Sequence, residues 1–249
     1  MYLNLVSALI IAITVTGWGK KVVYGVNDRK ASKICAISGI PVYKSDSGDA
    51  IFYKAGMAID ADGSPRAYHA NDSKALDHLH NGGKPGNWWA IVTVDNKPYI
   101  QQANDRYPGY YVSMTSLEDT EKAETDPSRY VNAEVIPYIV LPQKVKQASG
   151  AKLGDFAVVV NKSNGKLAYA LFADEGPPGK LGEASIALAN ALGVDANPKN
   201  GGIEEYVIMY LVFPGSGNGK KRTIEEINTE GEKLLKNWGG KKLLLSFDK

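Results

Sequence analysis

Apolar residues recur along the chain in short runs broken by Gly, Asn, Asp and Ser, and a longer helical period emerges only towards the C-terminus. Runs rich in Val, Ile and Tyr between such punctuation predict strands joined by tight turns. Residues 20 to 50 carry several of these runs, and Ala50 to Asp60 continues the pattern. Trp88 to Val94, Val131 to Leu141 and Phe156 to Val160 read as further strands, with Leu167 to Ala173 pairing back across a turn at Asn161 to Gly165. Tyr206 to Phe213 is continuously apolar, as expected of a buried strand. One predicted helix spans Ser73 to His80, with Ser73 as N-cap and Asn81-Gly82-Gly83 as its end. A second spans Glu183 to Leu192 and stops at Gly193. A last one reaches Trp238 from a capping box of Thr223 and Glu226. The expected fold is α+β and β-rich, a single domain with a few peripheral helices.

The first twenty residues stand apart. Leu3 to Thr16 is almost wholly apolar and leads through Gly17-Trp18-Gly19 to Lys20 and Lys21. A run of ~14 apolar residues is short for a membrane span and suits the core of a signal peptide. A buried N-terminal strand is the other reading, because Ile, Val and Thr are common in it. The expectation is a signal peptide or N-terminal anchor over 1–20, one folded domain over 21–249, and a secreted, extracellular protein.

Composition narrows the classes. The 249 residues are 44% hydrophobic with a net charge of +2, which fits one sizeable core and lacks the basic field of nucleic-acid binders. Cys35 is the single cysteine, so an intrachain disulfide and a cysteine-built zinc site are excluded. A monomer without cofactor or metal is expected, with no nucleic-acid partner.

Four groups of residues are candidates for chemistry. Asp174 closes a buried strand, a Gly/Pro loop follows, and Glu183 stands where the predicted helix begins. Two such carboxylates suit glycoside hydrolysis, although solvent-facing turn acids have the same spacing. Asp60-Ala61-Asp62-Gly63 resembles the opening of a calcium loop, but no glutamate completes it. His69, His78 and His80 cluster in sequence, yet His78 and His80 should face different sides of a helix. Phe213 to Lys221 imitates a phosphate loop with the wrong spacing, so nucleotide binding is rejected and a glycine-rich cleft rim is expected. Trp88-Trp89 and Tyr110-Tyr111 are candidate sugar platforms, one member of each pair facing the core.

Asp60-Ala61-Asp62-Gly63, Gly154-Asp155 with its apolar strand, the Asp174 loop, Gly182-Glu183-Ala184-Ser185, and Tyr206 to Phe213 with Gly215 together resemble glycoside hydrolase family 75. This is the chitosanase family of fungi and bacteria. The resemblance implies endo-acting, inverting hydrolysis of β-1,4-linked glucosamine chains by Asp174 and Glu183. Ala61 stands where fungal members have cysteine, and Pro65 to Tyr111 looks more like bacterial relatives. The Asp174 loop is also similar to the catalytic loop of double-psi β-barrel lytic transglycosylases, so a double-psi barrel is the preferred architecture. Asp174 is expected as the acid and Glu183, at a helix N-terminus, as the base, with the reverse open. Asp60 and Asp62 are candidates for meeting protonated glucosamine. A peptidoglycan-active lytic enzyme that needs Asp174 alone and a non-catalytic carbohydrate-binding module are the alternatives.

Overall fold

The computed structural model describes residues 30–247. The expectation for residues 1–20 therefore lies outside the described residues. Eight strands form one sheet: β1 (Ala31–Ile37), β2 (Ile40–Ser45), β3 (Ile51–Asp60), β4 (Tyr138–Pro142), β5 (Phe156–Asn161), β6 (Leu167–Gly176), β7 (Glu183–Ser185) and β8 (Ile203–Val212). Six of them close into a barrel in the order β3-β7-β4-β6-β5-β8 and back to β3, as the resemblance implies. The pairs β6–β4 and β7–β3 are parallel, which a simple up-and-down barrel does not contain. The hairpin β1–β2 extends the sheet from the edge of β3.

Alternation along the strands sets the inside and outside of the barrel. Every second residue from all six strands, such as Ile59, Ile139, Phe172, Ala184, Val159 and Tyr210, joins one buried cluster that fills the interior. The helices α1 (Gln143–Ser149) and α2 (Ile186–Leu192) contribute Val145 and Leu188 to that cluster. Outward-facing Val158, Val160, Met209 and Leu211 are covered by α3 (Ile224–Trp238) and α4 (Gly240–Ser246) through Leu235, Trp238, Leu243 and Leu244. The capping box of α3 forms as predicted, with Glu226 N donating to Thr223 Oγ1 at 3.2 Å and Thr223 N donating to Glu226 Oε2 at 2.8 Å. The predicted hairpin also forms, Leu167 pairing with Val160.

Four predicted elements differ. Ser73 to His80 is a series of turns, with one helical turn only at Leu79–Gly82. Within Trp88 to Val94 and Val131 to Leu141, barrel pairing begins only at Tyr138, and the earlier segment makes two-residue ribbons at Asn87–Trp88 and Thr93–Val94. The helix expected from Glu183 starts at Ile186, because Glu183 and Ala184 are paired on both sides, to β3 and to β4. Ser185 then caps the helix by accepting from Leu188 N at 3.1 Å.

The excursion from Ala61 to Pro137 leaves the barrel between β3 and β4 and packs on its own small clusters around Tyr68, Ile91 and Val112. Leu117 N donates to Ala173 O at 2.8 Å and docks it beside the end of β6. Glu134 ties its start to its end, accepting from Ser64 Oγ at 2.6 Å and pairing with Arg66. Its inner wall faces the barrel's outer surface, and a cleft opens between them.

Candidate active site

The cleft has a volume of about 840 Å³, and its floor comes from the ends of β3, β4, β6 and β7. Ala58 and Asp60 face outward on β3 because Met57 and Ile59 face inward. Glu183 pairs with Ala58 on one side and Val140 on the other, so it shares their outward face. Simple alternation along β6 would turn Asp174 inward, since Phe172 is inside and Ala173 outside. A β-bulge prevents this. Phe172 pairs with Ile139 and Asp174 with Val140, so one extra residue is inserted and Asp174 emerges on the cleft face. Asp174 and Glu183 thus flank the same residue, Val140, from two neighbouring strands. Gly176 leaves room between them: a Cβ there would lie 2.9 Å from Val140 Cγ1 and 3.4 Å from Glu183 Oε2.

Asp174 is 8% exposed, and its Oδ1 accepts three hydrogen bonds, from Ser116 N at 2.8 Å, Ser116 Oγ at 2.6 Å and Glu175 N at 2.8 Å. Burial, with a smaller push from Glu183, raises its pKa to about 6 against those donors. Asp60 lies beside it, and its carboxyl is pushed well above the usual range by burial first, then by Glu183 and Asp174. Asp62 is raised in the same way by burial, Asp60 and Asp174. Oxygens of Asp60, Asp62 and Asp174 lie within 4.8 Å of one another, spaced to hold a cation or share protons. Glu183 is the fourth acid and accepts from Lys180 Nζ at 2.6 Å.

The turn after β3 is built to hold Asp62. Asp62 N donates to Asp60 Oδ1 at 2.8 Å, and Asp62 Oδ1 accepts from Tyr68 Oη at 2.7 Å. Gly63 has φ +72°, and a Cβ there would meet Val131 O at 2.1 Å, so a side chain is excluded. Tyr138 Oη donates to Asp62 O at 3.0 Å from beneath.

Of the sequence-predicted residues, Asp60, Asp62, Asp174, Glu183 and Trp89 line the cleft, and Trp88, Tyr110 and Tyr111 do not. Trp89 is 53% exposed, with Nε1 donating to Asn81 O at 2.7 Å, whereas Trp88 packs with Tyr111 against the Tyr68 cluster. The expectation of one inner and one outer ring thus describes this Trp pair. Tyr110 faces away, its hydroxyl donating to Lys74 O at 2.9 Å and its ring against His69. His78 and His80 do not diverge, because no helix carries both, and their rings stack at 5.2 Å. The glycine-rich segment is not a rim of this cleft. Gly215 N and Gly217 N donate to the Asp155 carboxylate at 3.0 and 2.9 Å, which ties that loop to the Gly154-Asp155 turn. Ser116, Tyr68 and Lys180 were missed, because a lone serine, tyrosine or lysine has no sequence signature.

No curated protein matches the chain. The family model described as fungal chitosanase of glycosyl hydrolase group 75 matches residues 57–240, from the middle of β3 to the start of α4, and so takes in every strand of the cleft floor. The chain therefore belongs to glycosyl hydrolase group 75, the chitosanase-type glycoside hydrolases.

Proposed function

We propose that this protein cleaves β-1,4-glucosamine linkages within chitosan chains by inversion, with Asp174 as general acid and Glu183 as the base that activates water. The observation that carries the reading is the shared partner Val140. Two interstrand spacings of ~4.8 Å put the two Cα atoms roughly 9–10 Å apart. Carboxyls projecting from one face at that distance suit the ~6.5–9.5 Å gap of inverting enzymes better than the ~5–5.5 Å of retaining ones. Asp174, held near pKa 6, carries a proton in mildly acidic solution and can deliver it to the leaving oxygen. The base role of Glu183 no longer rests on a helix N-terminus, since Glu183 sits on β7; it rests on the placement across Val140, with Lys180 orienting the carboxylate.

The charge of the cleft supports a cationic polymer as substrate. Seven carboxylate side chains line it, against Lys180, Lys199 and His80. Lys199 is already engaged, donating to Asp72 O at 2.6 Å and Ala75 O at 2.9 Å. Among the described residues no ion pair reaches Asp60, Asp62 or Asp174, so these acids suit a sugar ammonium. Trp89 offers a flat apolar face for a pyranose ring. Export is part of the proposal, because such a polymer is met outside the cell.

Proton NMR of the first products, taken before mutarotation, tests the mechanism: inversion yields the α-anomer first. Early β-anomer would overturn it. Assays on chitosan, chitin and peptidoglycan side by side test the substrate, and release from peptidoglycan alone would overturn that part.

A further inference from the structure

Asp174 has two chemically unequal oxygens. Oδ1 accepts all three protein donors, from Ser116 N, Ser116 Oγ and Glu175 N, and among the described residues none donates to Oδ2. Donors stabilise a bare oxygen and exclude a proton from it, so the proton of a neutral Asp174 belongs on Oδ2. Ser116 is held for this task. Its Oγ also accepts from Glu175 N at 3.2 Å, which leaves the hydroxyl hydrogen directed at Asp174. The next residue, Leu117, is clamped to Ala173 O at 2.8 Å, so the excursion and the bulged strand move as one.

We propose that Ser116 is the positioning residue of the general acid: it keeps Asp174 Oδ1 unprotonated and leaves Oδ2 as the atom that carries and delivers the proton. This rests on the assignment of Asp174 as acid. In the step, the Oδ2 proton passes to the glycosidic oxygen as the C1–O bond breaks. Water bonds to C1 and gives its proton to Glu183, and exchange with solvent restores both groups. Ser116 also sets where the acid titrates, because its hydroxyl favours the ionised form against burial. The other groups around Asp174 are Asp60 and Asp62 from β3 and its turn, Tyr138 from β4, Glu183 from β7 and Glu175 beside it. Of these, Glu175 alone touches the Ser116 hydroxyl, through its backbone N at 3.2 Å.

The test is the pH profile of kcat/KM on chitosan for wild type, Ser116→Ala, Ser116→Thr and Asp174→Asn. Loss of one donor to the ionised form should move the alkaline limb of Ser116→Ala upward by about one pH unit. Its kcat should fall about ten-fold through lost orientation, with KM unchanged. Ser116→Thr keeps the hydroxyl and should restore both. A limb that stays in place while activity falls would mean a merely structural serine and overturn the proposal. If Ser116→Ala does not fold, Ser116→Cys, whose thiol donates weakly, carries the same test. An active Asp174→Asn enzyme would instead sink the underlying assignment, whatever Ser116 does.

Discussion

Replacing Asp174 by Asn should make the protein inactive and, at alkaline pH, more stable. The amide oxygen can still accept from Ser116 N, Ser116 Oγ and Glu175 N, so the packing is retained. What disappears is the cost of ionising a buried acid. Its pKa rises from 3.8 to about 6 on folding, about two units at ~1.4 kcal/mol each, or about 3 kcal/mol. The sign follows from proton linkage: the folded state binds this proton more tightly than the unfolded state. Stability from this group is therefore complete below pH 3.8 and is lost as pH rises through about 6. Asn does not titrate, so the two proteins should melt together near pH 4 and separate by about 3 kcal/mol at pH 8. For a domain of this size each kcal/mol is worth ~2–4 °C, so the gain in Tm is several degrees. Calorimetric melting from pH 4 to 8 measures it. Parallel Tm curves, or a variant less stable at pH 8, would falsify the view of Asp174 as a buried, reluctantly ionised acid.

Glu183→Gln should lower kcat by about 10²–10⁴-fold with the fold intact, and wild-type turnover in the folded variant would remove Glu183 from the mechanism. Trp89→Ala should raise KM on chitosan and shift stability by no more than about 0.5 kcal/mol, whereas Trp88→Ala should cost about 3 kcal/mol in denaturant unfolding. Equal losses for both would mean that Trp89 is not a platform. Gly63→Ala forces a side chain against Val131 O at positive φ and should cost more than about 1 kcal/mol, read by the same unfolding assay. A neutral result there would contradict the geometry of the Asp60–Gly63 turn.

Much of the barrel is legible locally. The hairpin from β5 to β6 follows from two apolar runs around a polar turn, and α3 from its capping box, because both depend on neighbours within a few residues. The acids of the site are legible as well, since strand ends and tight loops are where polar groups interrupt apolar runs. Where local signals compete, sequence reading fails. Ser73 to His80 has a helical pattern, but Asn71 and Asp72 bind backbone instead: Asn71 Oδ1 accepts from Ser73 N at 3.0 Å and Asp72 Oδ1 from Leu79 N at 2.8 Å. Those bonds hold the segment in turns.

The sequence by itself determined that a β-rich fold forms and that Asp60, Asp62, Asp174 and Glu183 are its candidate chemistry. Only the tertiary structure decided how they meet. Glu183 is extended rather than helical because β3 and β4 claim its backbone from both sides, a long-range pairing that outweighs local propensity. Asp174 faces the cleft because one extra residue is absorbed opposite β4, and a slip of one residue exchanges the two faces of a strand. Ser116 reaches Asp174 across 58 positions of sequence because the excursion docks beside that bulge. Such contacts depend on register and docking between distant segments, and no local pattern of residues records them.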